Sequence, residues 1–445
     1  MRERGDYIVP YFNNQYRFDK PPLIYWLQVG SFHFFGENDF AARLPSMIAA
    51  ALTAVLLLAW GRRLGHERIG WWAAIIFSLC LQIFFHGRAA LPDMWLVFLV
   101  TAAHWAAFEV ISDSLGATSS TAAAGYRKYW RLAFYLALGL AFLAKGPIGW
   151  IPLLTVASTK LFLRDQPLNP RFRFALGILA AVAIVLAWAI PALLRSNGEF
   201  FRIGIGQHVF ERAVGSTMER EEANSLSLYF LTLPFYFLSV FVSFFPWSIK
   251  LPALIRRLWR SRDGIDHFLI GGILPIFLIL TFVNTKYFHY TLPAFPLLSL
   301  LLARHLFELP GADRFARRAA ITAFAVVIFT ALFLFPFLSR AVATVQLFEK
   351  ARADLRPEME FANFGYRQPS MVWYFRSHVQ GWFQTLGAKN VYKFMEKPGA
   401  RFVVLPTETS QLLYPTIPPD WKSYTAHGLI LPRRKRIDLT LLLKP

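Results

Sequence analysis

Apolar runs long enough to cross a membrane recur through the first three quarters of the chain, separated by short polar segments. Crossing the hydrocarbon core takes about 20 apolar residues in a helix. The predicted spans cover residues 43–60, 71–87, 94–112, 129–144, 147–163, 174–194, 227–249, 267–283, 290–307 and 319–338, with a shorter aromatic run at 22–36. Each should be a helix, because an isolated strand cannot satisfy its backbone in lipid. The pattern therefore predicts an α-helical multi-span membrane protein with about 10–11 membrane helices.

The pattern changes after about residue 345, where the long apolar runs stop. Residues 401–405 and 437–442 are typical of strands, and residues 370–375 of a helix. The sequence thus predicts two domains: a multi-span membrane domain over residues 1–344 and a small extracytoplasmic α/β domain over residues 345–445.

Composition agrees with a membrane protein and narrows the range of partners. The 445 residues are 56% hydrophobic and include 44 Phe and 14 Trp. A net charge of +20 would suggest nucleic acid in a soluble protein. Here the charge is concentrated in short loops between apolar runs, so membrane topology explains it and no nucleic-acid partner is expected.

The basic residues also predict the orientation. Eighteen Lys and Arg residues fall in one set of connecting loops, and the other set holds only seven: Arg88, Lys145, Arg195, Arg202, Arg212, Arg220 and Lys286. Because positive residues accumulate on the cytoplasmic side, the second set is expected outside. The opening loop and the tail after Arg340 are then also outside, on a multi-pass protein of the cytoplasmic (inner) membrane.

The outer connections carry ionisable groups next to apolar helices. Asp19 and Lys20 precede Pro21-Pro22, Asp93 closes a short turn, and Lys145 stands at a helix break before Gly146-Pro147. Singly, such residues are explained as interfacial anchors or surface pairs. Together, the cations at 20, 88, 145, 212 and 286 suit a phosphate, and a nearby carboxylate could deprotonate a hydroxyl.

The kind of donor follows from motifs that the chain lacks. The sequence contains no Walker A loop, no dinucleotide-binding glycine motif and no Asp-x-Asp pair for a metal–nucleotide sugar. No nucleotide cofactor is therefore expected. A lipid phosphate surrounded by apolar helices fits the pattern better.

Seven segments of the chain are informative in combination: Gly5-Asp6-Tyr7, Phe18-Asp19-Lys20-Pro21-Pro22, Ala41 to Ser46, Arg88 to Asp93, Leu143 to Pro147, His208 to Arg212, and Lys286 to Pro293. Together they resemble the GT-C polyprenyl-phosphate-dependent glycosyltransferases, the membrane enzymes related to protein mannosyltransferases and to the aminoarabinose transferase of lipid A. The resemblance covers most of the membrane part.

The resemblance implies transfer of a sugar from a polyprenyl-phosphate donor to a lipid A, glycan or protein acceptor. By position, Lys20 and Arg212 match donor-phosphate ligands, with Lys286, Arg88 and Lys145 as further phosphate-binding residues. Asp19 and His208 match positions that share a divalent metal, zinc, in the lipid A branch. Asp93 is the remaining carboxylate for a catalytic role.

One departure from the family bears on activity. Its members begin with a membrane helix and an outer loop whose acidic residue is the favoured catalytic group. Met1 falls inside that loop, so the resemblance implies a truncated or mis-started chain, or a catalytically inactive relative. A transporter or lipid flippase with a basic outer vestibule and a structural envelope subunit are the alternatives from other classes. The absence of a visible repeat and the charges at helix ends favour the enzyme.

Overall fold

The computed structural model describes residues 1–116, 122–161, 163, 167–204, 230–284, 286–366, 368–430 and 435–445. They form two compact units, one of residues 1–10 and 16–325 and the other of residues 11–15 and 326–445. The observed division lies between residues 325 and 326, about 20 residues before the boundary at 344/345 that the apolar pattern predicts. Only 6% of the most apolar stretch of the helical segment Ala312–Arg340 is buried.

The first unit is built of α-helices whose ends follow from local sequence. Pro21-Pro22 directly precedes the first of them, the Asn38 side chain accepts a hydrogen bond from the Ala41 backbone N–H (2.8 Å), and Asp263 caps another helix in the same way. The helices are Leu23–Phe35, Asp39–Arg63, Glu67–Ser78, Leu81–Gly87, Asp93–Ile111, Ala122–Lys145, Ile151–Thr159, Leu168–Phe172, Phe174–Arg195, Phe235–Ser243, Leu251–Arg260, Gly264–Phe282 and Phe295–His305, followed by Ala312–Phe329, which runs into the second unit.

The helices include enough long apolar segments for a multi-span membrane protein, as the sequence predicts. Within the described ranges, six are long and apolar enough to cross: Asp39–Arg63, Asp93–Leu115, Phe174–Arg195, Gly264–Phe282, Phe288–Glu308 and Ala312–Arg340. Two bent pairs raise the count to eight if each is one span, Glu67–Ser78 with Leu81–Gly87 and Phe230–Ser243 with Trp247–Arg260. This is fewer than the expected 10–11. The apolar stretch at 147–163, for example, is a helix that ends at Thr159.

Aromatic side chains fill the middle of the helical unit. Trp60, Phe108 and Phe268 are fully or almost fully buried, and their rings contact one another with centroid distances of 5.6–6.5 Å. Such tilted and edge-on pairs stabilise a core beyond their buried area. Helices far apart in sequence are thereby packed into one unit.

Two glycines allow the helices Asp39–Arg63 and Glu67–Ser78 to pack backbone against backbone. A Cβ atom added at Gly61 would lie 2.3 Å from Gly70 Cα, and one added at Gly70 would lie 2.2 Å from the Leu58 carbonyl oxygen. Small residues at such crossings are typical of membrane helices, where close backbone approach drives association.

We expect Gly61→Ala to lower the free energy of unfolding by about 1–3 kcal/mol, because neither helix backbone can move away from the added methyl group. Gly30→Ala is the matched control, since a Cβ at this other helical glycine meets nothing within 4 Å. Thermal unfolding in detergent measures both variants. A Gly61 variant as stable as the Gly30 variant would contradict the close crossing.

The second unit contains a five-stranded sheet with the strand order Gln384–Thr385 (β4), Glu360–Asn363 (β3), Arg401–Pro406 (β5), Lys435–Lys444 (β7) and Lys422–Ile430 (β6). Strand β3 is parallel to β4 and β5, whereas β7 is antiparallel to β5 and β6. The strands β5 and β7 are the two that the sequence predicts. The bounds in the chain are β1 Tyr11–Phe12, β2 Gln15–Tyr16, β3 Glu360–Asn363, β4 Gln384–Thr385, β5 Arg401–Pro406, β6 Lys422–Ile430 and β7 Lys435–Lys444, with helices Phe335–Arg340, Ala343–Ala351, Pro369–Phe375, Ala388–Glu396 and Thr407–Leu413.

One side-chain clamp explains why residues 11–15 belong with this sheet unit. The Asn13 amide nitrogen donates to the Phe383 carbonyl (2.6 Å), and the Phe383 N–H donates back to Asn13 Oδ1 (2.9 Å). The pair imitates the exchange of hydrogen bonds between two strands. A short piece of the opening loop is thus part of the C-terminal unit.

Candidate active site

A cavity of about 330 Å³ in the helical unit brings together polar residues from four distant parts of the chain. The opening segment contributes residues Arg17, Asp19, Lys20, Tyr25 and Gln28. The remaining polar lining consists of Asp93, Lys145, Tyr287, His289 and Tyr290, and Ile24, Ala90, Leu91 and Pro92 are also in the wall. Two cations and two carboxylates that the sequence singles out, at 19, 20, 93 and 145, therefore share one hollow.

The segment before the cavity is held by its backbone. Asp6 accepts hydrogen bonds from the N–H groups of Ile8 (2.9 Å) and Val9 (3.3 Å) and pairs with Arg195 (3.0 Å). Burial disfavours the charged carboxylate, but these contacts hold the pKa of Asp6 below its ordinary value. The indole N–H of Trp188 donates to the Ile8 carbonyl (2.9 Å), so this loop is fixed against a membrane helix.

Asp19 and Lys20 are placed by the residues on either side. Phe18 is buried and packs edge-on against Phe200 at 5.5 Å, while Pro21-Pro22 lead directly into the helix Leu23–Phe35. The Asp19 carboxylate lies 3.2 Å from the Arg17 guanidinium. Both side chains, like that of Lys20, are half-buried at the cavity wall.

Tyr25, one turn further on, adds a phenol to the same wall. Burial raises its pKa to about 12, although the neighbouring Arg17 acts in the opposite direction. The phenol therefore stays protonated at physiological pH. It is a hydrogen-bond donor and acceptor beside Asp19 and Lys20.

Asp93 and Lys145 form the most deeply buried ion pair of the cavity. Lys145 Nζ lies 2.5 Å from Asp93 Oδ1, and the two side chains are 14% and 5% exposed. Asp93 begins the helix Asp93–Ile111 and Lys145 ends the helix Ala122–Lys145, so each charge has the sign that its helix terminus favours. The sequence places both on one side of the membrane but does not predict that they pair.

The chain reverses directly after Lys145 because the helix cannot continue. Gly146 has φ of 79°, a conformation that favours glycine, and its N–H donates to the Phe142 carbonyl at 2.7 Å. Pro147 then starts a new short helix. This break directs the Lys145 ammonium toward Asp93 and Tyr290, whose ring centroid is 5.1 Å away.

His289 and Tyr290 are site residues that the sequence reasoning did not select. His289 Nε2 lies 3.9 Å from Asp93 Oδ1, and its ring lies 5.1 Å from that of His86. Both His289 and Tyr290 belong to the short helical stretch Phe288–Ala294. The available signal was their proximity to Lys286 in an outer connection, since a loop that brings one polar residue to the site brings its neighbours too.

Two predicted phosphate ligands lie elsewhere. Lys286 is not in the cavity wall; its ammonium donates to the carbonyl oxygens of Leu280 (3.1 Å) and Thr281, at the end of the helix Gly264–Phe282. Burial holds the pKa of Lys286 below its ordinary value. Arg88 lines a separate, mostly apolar cavity of about 220 Å³ with Phe77 and Phe84. Neither cation therefore lines the hollow that contains Lys20, and phosphate binding by Lys286 and Arg88 stays a prediction.

The other two predicted ligands, His208 and Arg212, lie outside the described residues. Among the described residues, no group of three His, Cys, Asp or Glu side chains could hold a metal ion. Zinc sites in proteins use at least three protein ligands. The Asp19 carboxylate faces the Arg17 guanidinium. Because His208 lies outside the described residues, metal binding through Asp19 and His208 stays a prediction.

The sequence is similar to known transferases over a part of the chain that includes Asp19, Lys20, Asp93 and Lys145. Residues 19–194 match the family described as dolichyl-phosphate-mannose-protein mannosyltransferase. The undecaprenyl phosphate-alpha-4-amino-4-deoxy-L-arabinose arabinosyl transferase of Edwardsiella ictaluri is 27% identical over 325 residues, which are 72% of this chain and 55% of that protein. A second such transferase from Sodalis glossinidius is 30% identical over 312 residues, 68% of this chain and 53% of that protein. The chain thus spans about half the length of these relatives.

The fold is also that of a solved structure. ArnT from Cupriavidus metallidurans, crystallised bound to undecaprenyl phosphate, superimposes with a TM-score of 0.77 at 18% identity, over 98% of this chain and 91% of that chain. Its apo crystal structure gives a TM-score of 0.74. The helical unit with an appended sheet domain is therefore an ArnT-like GT-C fold. In sequence over residues 19–194 and in fold over nearly the whole chain, this protein is therefore similar to the GT-C polyprenyl-phosphate glycosyltransferases, and among them to the lipid A aminoarabinose transferases.

Proposed function

We propose that this protein is a glycosyltransferase that moves a sugar from a polyprenyl-phosphate donor to a lipid A, glycan or protein acceptor at the outer face of the cytoplasmic membrane. The observation that carries the proposal is the single cavity that joins Lys20 and Asp19 to the Asp93–Lys145 pair. The relatives described above are named as undecaprenyl phosphate-alpha-4-amino-4-deoxy-L-arabinose arabinosyl transferases, which supports this donor class.

We assign the binding of the donor phosphate to Lys20. Its side chain lies at the cavity wall beside two phenols, Tyr25 and Tyr290. An ammonium group stabilises a phosphate through charge-assisted hydrogen bonds, and it does so more strongly in a site shielded from water. As the bond between the sugar and the phosphate oxygen breaks, the polyprenyl phosphate gains charge that Lys20 would stabilise. Arg212 is proposed to assist from the part of the chain outside the described residues.

We assign to Asp93 the role of the general base that accepts the proton of the acceptor hydroxyl. The acceptor oxygen forms a bond to the anomeric carbon while the bond to the departing phosphate breaks, and the acceptor hydroxyl must lose its proton. Lys145 and His289 both face Asp93 Oδ1, so we assign the proton to Oδ2. A carboxylate placed in this way contributes general base catalysis, and Lys145 holds it in position.

A transfer assay on the full chain tests the proposal. Proteoliposomes receive a panel of radiolabelled sugars linked to undecaprenyl phosphate, together with lipid A, and both the glycosylated product and the released carrier are measured. We expect product and carrier in equal amounts. Nucleotide sugars are the matched control and should give no product. Movement of the intact donor across the bilayer without release would instead indicate a flippase, and donor binding without turnover an inactive relative.

A further inference from the structure

The helix Leu251–Arg260 exposes two different stripes of side chains next to one another. Leu251, Leu254 and Leu258 are buried against the bundle. On the outward side, Ile255 and Trp259 are 51% and 82% exposed, and Arg256 and Arg260 are exposed beside them. Residues four apart lie on one face of a helix, so an apolar stripe and a cationic stripe run in parallel.

This helix is oriented as expected for one lying along a membrane surface. The segment Trp247–Arg260 turns by 113° from the apolar helix Phe230–Ser243 that precedes it. Two contacts hold it there: Arg257 Nε donates to Glu308 Oε2 at 2.9 Å, and Lys250 Nζ donates to the Pro310 carbonyl at 2.7 Å. An amphipathic helix with Trp and Arg on its outer side is typical of the boundary between headgroups and acyl chains.

A second helix extends the cationic stripe and marks the depth of that boundary. In Ala312–Phe329, the exposed residues change from Arg314, Arg317 and Arg318 to Ile321 and Phe324 along the same side. Guanidinium groups belong with headgroups, and isoleucine and phenylalanine with acyl chains. The headgroup region therefore meets the first turns of this helix.

Six outward-facing guanidinium groups make no polar contact within the described part of the chain. Among the described residues, no ion pair or hydrogen bond engages Arg256, Arg260, Arg262, Arg314, Arg317 or Arg318. Topological bias alone would account for basic loops. It does not account for an exposed tryptophan and isoleucine beside arginines on a helix that runs across the span direction.

We propose that these six arginines with Ile255 and Trp259 form a docking surface for anionic phospholipids. The arginines bind the phosphate groups of several phosphatidylglycerol-type lipids, and the two apolar side chains insert between the acyl chains. The surface is separate from the donor cavity, because the span Phe288–Glu308 has His289 in the cavity at one end and Glu308 beside Arg257 at the other. Its 21 residues separate the two sites by about 30 Å.

The test measures lipid preference and does not depend on glycosyl transfer. The full chain, purified in detergent, is equilibrated with equimolar phosphatidylglycerol and phosphatidylcholine, and co-purified lipids are quantified by mass spectrometry. An arginine near an anionic surface strengthens attraction by roughly fivefold. We therefore expect the triple substitution Arg256→Gln, Arg260→Gln and Arg262→Gln to reduce the preference for phosphatidylglycerol at least about tenfold.

Two further variants separate the surface from general charge and from misfolding. Substituting Lys389, Lys393 and Lys397 in the sheet unit by Gln removes the same charge and should leave the preference unchanged. Replacing the three arginines by Lys keeps the charge and should retain most of the preference. An unchanged preference in the Arg→Gln variant, or an equal loss in the Lys→Gln variant, would overturn the proposal. An unchanged preference in the Arg→Gln variant would instead indicate that the surface binds an acidic protein.

Discussion

Replacing Lys145 by Met while keeping Asp93 is expected to lower the free energy of unfolding by about 3–5 kcal/mol, because a buried carboxylate then loses its partner. The pair is short, at 2.5 Å, and Asp93 is only 5% exposed. His289 at 3.9 Å can replace the lost cation only in part, and only when it is protonated. Titration with a denaturing detergent, followed by tryptophan fluorescence, measures the loss.

A double-mutant cycle isolates this pair from the effect of altered side-chain volume. Asp93→Asn should also destabilise the protein, whereas the combination with Lys145→Met removes both charges and should recover much of the stability. Recovery with complete loss of transfer would show that the pair is needed for function and can be dispensed with for folding. Strict additivity of the two losses would contradict direct pairing.

Replacing Lys20 by Ala is expected to reduce kcat/KM for transfer by about 10²–10³-fold, the effect of removing one preorganised donor from a developing charge. The side chain is half-buried and at the cavity wall, so the fold should tolerate its loss. Lys20→Arg keeps the charge and should restore part of the activity. The initial rate in proteoliposomes, divided by the amount of folded protein, is the measurement.

Two other cations serve as comparisons for Lys20. Arg43 is about half exposed and pairs with Asp39 on the surface, so Arg43→Gln should leave transfer unchanged. Lys286→Met should reduce stability by about 1–2 kcal/mol, because its ammonium is bonded to carbonyl oxygens at a helix end, and should have little effect on transfer. Loss of transfer in the Lys286 variant with normal activity in the Lys20 variant would contradict the assignment of the phosphate.

The sequence predicts local features well and long-range pairing poorly. The prolines at 21 and 22 and the break at Gly146 fix where helices begin and end, and with them the positions of Lys20 and Lys145. Asp93 and Lys145 are 52 residues apart, and nothing in their local sequence indicates that they meet. Their pairing depends on how two membrane helices pack. The positions of Arg88 and Lys286 outside the cavity depend on packing in the same way.

The basic segment after Lys250 shows a different limit. Its arginines predict a cytoplasmic loop, but Leu251, Leu254 and Leu258 at helical spacing produce an amphipathic helix. The helical spacing of these leucines is visible in the sequence, but the many arginines around them favour a loop over a helix as the interpretation. At the other end of the chain, Asp19 and Lys20 directly before Pro21-Pro22 are a local pattern that the sequence does reveal, and both side chains lie at the cavity wall.

The most direct test of the account is photo-crosslinking with an undecaprenyl phosphate analogue that carries a photoreactive group next to the phosphate. We expect adducts on the segments 17–28, 90–93 and 287–290, and we expect undecaprenyl phosphate, but not undecaprenol, to suppress this labelling. The Lys20→Ala variant should lose most of this labelling. Adducts confined to the surroundings of Arg88 or Lys286, or labelling that undecaprenol displaces equally well, would contradict a phosphate-binding cavity formed by these three segments and Lys145.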